Sequence, residues 1–255
     1  MKEEVIELRG GRVQTVFSAG GGPVLLWLHG LDGVQPSHPL LRELASTHSV
    51  IAPRAPGFQS LEELAHVRDV HDLALHYDDL LDALQVDSVI AVGESFGAMI
   101  AAELAAHFPN RVSSIVLLAP LGLWIDEHPV ADLLAVPWPD LHDFLFSESR
   151  ADPDQELDVE AVVRLSQGLT SVAKFVHPIP DRGLDRRISR INVPALILFG
   201  EEDRFVPPVY EAAWARALPG ADTRIIGQAG HMVAIEQPAT VCDAVRQFLD
   251  AQVAA

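Results

Sequence analysis

The chain has 255 residues, 49% of them hydrophobic and 21% charged. That is enough apolar material for one large core and too much for a disordered chain. Acids outnumber bases 36 to 18 for a formal charge of −18, which repels a phosphate backbone and argues against nucleic-acid binding.

The chain opens with two strand-like runs, Val5–Leu8 and Val13–Phe17, joined by a Gly10-Gly11 turn. This start has neither the apolar stretch nor the cleavage site of a secretory signal, and a cytoplasmic location is expected. Val24–Leu28 is a continuous apolar run, as expected of a strand covered on both faces. Leu40–Ala45 reads as a helix and Ser49–Ala52 as a strand. Within Asp69–Leu84, Val70, Leu73, Ala74, Tyr77, Leu80, Leu81 and Leu84 form one helical stripe. The acids of Asp69–Asp82 and Glu148–Glu160 read as solvated faces. Ser88–Val92 is a strand, Phe96–Phe108 an Ala-rich helix and Ser114–Leu118 another strand.

Regularity then fails between Gly122 and Arg190, where prolines and aromatics surround helix-like pieces such as Val159–Leu169. The pattern resumes with a strand at Val193–Phe199, a helix at Val209–Ala217, a strand at Thr223–Ile226 and a helix at Thr240–Leu249. The expected fold class is α/β: a mostly parallel sheet flanked by helices, with an inserted helical lid. Residues 1–121 and 191–255 form the expected core, and 122–190 the lid. No apolar run reaches the roughly 18 residues of a membrane span. Cys242 is the only cysteine, so no internal disulfide can form.

Gly93-Glu94-Ser95-Phe96-Gly97 matches G-x-S-x-G. The pentapeptide alone is a weak signal; its place directly after a strand and directly before a helix is the context that marks a nucleophile elbow. A serine needs a base, and His231 in Gly227–His231 follows the last strand, at the sheet edge where active sites gather. Asp203 follows the strand ending at Phe199-Gly200, with Glu201 and Glu202 as competing acids. The order Ser95, Asp203, His231 is a known order of a nucleophile–acid–base triad. Two N–H donors are needed for an oxyanion; Phe96, after the nucleophile, and Leu31, in the loop after Val24–Leu28, are the candidates. His29 reads as a structural loop residue. His66, His71 and His76, spaced by five, share no helical face, and no metal site is expected.

These motifs resemble the α/β-hydrolase superfamily, in its lidded serine esterase and C–C-bond hydrolase branch. The resemblance rests on Leu28–Leu31, Gly93–Gly97, Gly200–Pro207, and Gly230-His231 with Glu236 and Pro238 behind it. The spacing from Asp203 to Val206-Pro207 favours Asp203 as the acid. The resemblance implies a serine hydrolase of carboxylesterase type that needs no metal or organic cofactor. Ser95 stands where epoxide hydrolases and haloalkane dehalogenases of this fold carry an aspartate nucleophile. Ring-fission C–C hydrolases usually carry Trp after the catalytic histidine; here it is Met232. Arg54 stands where the family usually has an acid, which alters a loop at the pocket entrance.

The expected substrate is a small to medium apolar ester, met by Trp138, Val206 and Met232, with Trp124, Phe144, Phe146 and Phe175 as further lid aromatics. A C–C-bond hydrolase and a non-catalytic ligand-binding protein are the alternatives. Perhydrolases and acyltransferases share the motif. Neither a nucleic acid nor a membrane is an expected partner, and the protein is expected to be a monomer or homodimer.

Overall fold

Eight strands form a single sheet in the computed structural model, which describes residues 1–148, 159–177 and 182–253. They are β1 (Lys2–Glu7), β2 (Val13–Ala19), β3 (Val24–Leu28), β4 (Ser49–Pro53), β5 (Val89–Glu94), β6 (Val112–Leu118), β7 (Ala195–Gly200) and β8 (Asp222–Ile226). The spatial order is β1-β2-β4-β3-β5-β6-β7-β8. β2 is antiparallel to both β1 and β4, and the pairings from β4 to β8 are parallel.

The sequence of β3 explains its central place. Leu26 and Leu28 belong to the core on one face of the sheet, and Leu25 and Trp27 to the core on the other. Such a strand has no face left for water. The first core receives α2 (Val70–Ala83) and α3 (Phe96–His107). The second receives α1 (Pro39–Leu44), α8 (Val233–Glu236) and α9 (Pro238–Val253). Between them, α4 (Leu141–Leu145), α5 (Val159–Val176) and α6 (Leu184–Arg187) lie in the β6–β7 connection, and α7 (Tyr210–Ala217) precedes β8.

α2 follows its sequence stripe closely: Val70, Leu73, Ala74, Tyr77, Leu80 and Leu81 are buried, and the Asp69 side chain caps its first N–H groups. Its acids are more than a solvated face. Arg111 pairs with Asp78 at 2.7 Å, Arg68 with Asp72 at 2.7 Å, Arg9 with Asp82 at 2.5 Å, and Arg12 with Asp79. Several bases of this acidic chain thus pin α2 to the hairpin and to the start of β6. Of the second acid-rich stretch, residues 149–158 lie outside the described residues, as do prolines 153, 178 and 180.

The connection from β6 to β7 carries no strand among its described residues. α5 extends beyond the expected Leu169 because Gly168, Ser171, Val172 and Phe175 continue one buried stripe. The insert rests on the C-terminal edge of the sheet. A Cβ at Gly168 would collide with the Leu31 carbonyl, and the Phe175 ring stacks on Phe96 with centroids 5.6 Å apart. The Met232 N–H donates to Leu145 O at 3.0 Å.

The strand order reverses between β3 and β5: from β3 the chain steps to one side into β4, and then returns to β5 on the other. A crevice outside the carboxyl ends of two such strands is the usual ligand position in an open α/β sheet. The loops leaving β3 and β5 carry Leu31 and Ser95.

Candidate active site

Ser95 sits between β5 and α3 with φ 53° and ψ −115°, a backbone region that L-residues seldom occupy. Its N–H donates to Leu118 O at 2.8 Å and its carbonyl accepts from Met99 N at 3.2 Å. The turn closes only because its glycines lack side chains. A Cβ at Gly93 would strike the Gly97 backbone, and one at Gly97 would strike the carbonyls of Leu28 and His29. The two glycines of the motif are therefore a steric requirement of the strand–turn–helix junction.

The loops after β7 and β8 complete a hydrogen-bonded chain. His231 Nε2 lies 2.8 Å from Ser95 Oγ, and His231 Nδ1 lies 2.8 Å from Asp203 Oδ2. Asp203 accepts at Nδ1, so Nδ1 carries the proton and Nε2 is left to accept from the serine hydroxyl. The second Asp203 oxygen accepts the N–H groups of Phe205 (2.9 Å) and Val206 (2.8 Å). All three side chains are buried. The Phe205 ring packs edge-on to the imidazole, with centroids 4.6 Å apart. Of the competing acids, the Glu202 carboxylate instead accepts the Glu148 N–H at 3.2 Å, and Glu201 is exposed.

Leu31 and Phe96 flank the serine. Phe96 opens α3, so its N–H has no carbonyl four residues back within the helix. Leu31 follows Gly30, where a Cβ would come within 3.3 Å of the Ser95 Cβ. His29 fixes this loop, as its sequence position suggested. Its Nδ1–H donates to Gly30 O at 2.8 Å, and its Nε2 accepts the Ala55 N–H at 2.8 Å. Burial drops its pKa to about 4, so it is neutral.

Two spaces meet at Leu31. A water-sized pocket of about 10 Å³ is lined by Gly30, Leu31, Asp32, Glu94, Ser95, His231 and Met232. A second, apolar cleft of about 70 Å³ is lined among others by Leu31, Met99, Leu121, Trp124, Val172 and Phe205. Of the three expected substrate contacts, Met232 borders the serine. Val206 is fully buried and lines neither space; its backbone holds Asp203 instead. Trp138 is 43% exposed and also lines neither. Among the other aromatics, Trp124 reaches the cleft, Phe175 packs on Phe96, and Phe144 and Phe146 pack against the core.

Sequence reasoning passed over Phe205, Asp32 and Glu94. Phe205 could have been found from its place two residues after Asp203. Asp32 and Glu94 carry no local mark of a shared place, and only the fold brings them together. Burial, then the Glu94 charge, push Asp32 up to about 7. His38 Nε2 lies 3.3 Å from Glu94 Oε2. Burial alone would lower the His38 pKa, but the Glu94 charge outweighs it and raises the value. His71 pairs with His107, and His76 with Gln14 and Arg12; among the described residues no three His, Cys, Asp or Glu side chains gather as metal ligands. No helix among the described residues is long and apolar enough to cross a membrane.

Known proteins share this architecture. A 2-hydroxy-6-oxo-2,4-heptadienoate hydrolase of Pseudomonas putida is 26% identical, the match covering 96% of this chain and 95% of that protein. A 2-hydroxymuconate semialdehyde hydrolase of a Pseudomonas species is 29% identical over 82% of this chain and 79% of its own. Among solved structures, a carboxylesterase of Bacillus subtilis superposes with a TM-score of 0.77 at 21% identity, covering 98% of this chain and 92% of its own. A meta-cleavage product hydrolase of Pseudomonas fluorescens gives the same TM-score and identity, with 97% of each chain covered. These two likenesses establish the fold. The profile of the alpha/beta hydrolase family matches residues 24–244, and the chain belongs to that family.

Proposed function

We propose that the protein is a serine hydrolase that cleaves a small to medium apolar ester through an acyl-enzyme. The observation that carries this reading is the unbroken Ser95–His231–Asp203 chain, with both links at 2.8 Å. Ser95 Oγ attacks the carbonyl carbon while His231 Nε2 takes its proton, and Asp203 holds the imidazole and offsets its charge. The Leu31 and Phe96 N–H groups receive the developing oxyanion, each worth about 3 kcal/mol by the measure of other oxyanion donors. His231 then gives its proton to the leaving alcohol, and water releases the acid. The apolar cleft beside Leu31 receives a hydrocarbon group, and the β6–β7 insert acts as the lid that bounds it.

Cleavage of a C–C bond in a vinylogous diketone is the second reading. It is supported by the names of the two Pseudomonas relatives and by Arg182 in the cleft lining, which suits a substrate carboxylate, although His177 beside it already faces Asp132 at 3.3 Å. Against it stand Asp32 and Glu94 beside the nucleophile, which disfavour an anionic substrate there. A panel of nitrophenyl esters of rising acyl length, run beside a 2-hydroxy-6-oxo-dienoate, tests both readings. Ester kcat/KM exceeding that for the dienoate, and lost in Ser95→Ala, is the expected result. Dominant activity on the dienoate overturns the first reading in favour of the second. Activity surviving in Ser95→Ala overturns the mechanism.

A further inference from the structure

We infer that the pocket between Ser95 and His231 is a seat for the deacylating water, and that Glu94 and Asp32 position that water. The inference rests on the acyl-enzyme reading above. Three observations carry it. The pocket holds about 10 Å³, the space of a single water. Its polar lining combines the serine, the histidine and two carboxylates. Both carboxylates also have acceptor capacity to spare. Glu94 is 7% exposed, its Oε2 faces His38 at 3.3 Å, and its Oε1 accepts no hydrogen bond from the described residues. Nor does the Asp32 carboxylate accept one from another side chain among them.

Two acids that share one small pocket, Glu94 buried and Asp32 half-buried, are costly without partners. A water repays part of that cost by donating to one of them, and its second hydrogen then serves the reaction. In the acyl-enzyme the water points one hydrogen at His231 Nε2 and the other at a carboxylate oxygen. Its lone pair is then left for the acyl carbon. The water oxygen bonds to that carbon as His231 takes the first proton. The bond from carbon to Ser95 Oγ then breaks, and the proton passes from His231 to Oγ. The carboxylic acid leaves, and no other reactant is needed. Leaving-group departure in the first half-reaction does not use this water, so the contact of the two acids to the water acts on deacylation.

Rapid-mixing kinetics with p-nitrophenyl acetate on the full chain separate the two steps. Glu94→Met and Asp32→Leu remove the acceptors at similar volume, and Glu94→Gln and Asp32→Asn keep a neutral one. The expected result is a nitrophenol burst rate within about twofold of wild type, with the steady-state rate at least tenfold lower in the apolar variants. Acetyl-enzyme then accumulates by intact mass, and turnover is partly regained in the amide variants. Labelling of Ser95 by a fluorophosphonate at the wild-type rate shows that a variant is folded. Burst and steady-state rates falling in parallel, or neither changing in labelled protein, overturns the inference. If the wild type itself forms no acyl-enzyme from any ester, the esterase reading fails and this one with it; a wild-type burst with unaltered variants overturns this inference alone.

Discussion

Glu236 holds Gly230 by a 2.7 Å hydrogen bond from its N–H to Oε1, and the other Glu236 oxygen accepts the Ser147 N–H at 2.8 Å. One carboxylate thus ties the loop that carries His231 to the insert after α4. At Gly230 a Cβ would meet the Phe146 backbone, so the loop and the insert are in direct contact. Loss of the Glu236 carboxylate unfastens the His231 loop from two directions.

Glu236→Ala is therefore expected to lower kcat by one to two orders of magnitude while Ser95 and Asp203 remain in place, since small misplacements of a base cost about 100-fold. Glu236→Gln keeps one acceptor and is expected to retain most activity. Steady-state kinetics of both variants check this; equal kcat in Glu236→Ala and wild type would sink it.

Ser95 occupies its strained backbone for the sake of its side chain. Ser95→Gly removes the Cβ that makes φ 53° unfavourable and is expected to raise stability by about 1 kcal/mol, read as an upward shift in Tm. The same variant is expected to lose the proposed hydrolase activity entirely. A lower Tm in Ser95→Gly than in wild type would mean that the Oγ hydrogen bond outweighs the strain.

The pH dependence of stability has two opposing parts. Burial, then the Arg12 charge, hold His76 down at about 4, below the ordinary histidine value. The unfolded chain takes up this proton first, so stability rises with pH from about 4 to 6.5 and is lost as pH falls through that window. The ceiling is about 3 kcal/mol at 1.36 kcal/mol per pKa unit. His29 acts in the same direction. Asp32, raised to about 7, acts oppositely: the folded state keeps its proton longer, so its stabilising contribution is full below about 4 and gone above 7. His76→Gln is expected to flatten the acid limb of a Tm–pH profile. Asp32→Asn is expected to raise Tm at pH 8 relative to pH 4.5. Profiles parallel to wild type would refute both assignments.

Much of this arrangement is legible before folding because the local chemistry leaves few choices. The α2 stripe, the apolar run of β3 and the glycines of the elbow each satisfy one dominant constraint. Ser95, Asp203 and His231 fall at strand ends, where loops are short and direction is fixed. The insert is less legible because its aromatics have several faces available. Trp138 remains 43% exposed while Trp124 reaches the cleft. Val206 illustrates a different loss: its backbone N–H, and not its side chain, carries its role at Asp203. Asp32 and Glu94 are more than sixty residues apart in the chain, and no local pattern marks their meeting.

The reversal of strand order between β3 and β5 has a consequence for when the protein becomes competent. Leu31 and Ser95 approach only after Leu25–Leu28 has paired in register with Ile90–Gly93, across a connection that itself contains β4 and α2. Such non-local parallel pairing is slow to form. Recovery of Ser95 reactivity during refolding is thus a clock for closure of the central sheet. Helices assembled earlier leave Ser95 with neither Leu31 nor His231 beside it.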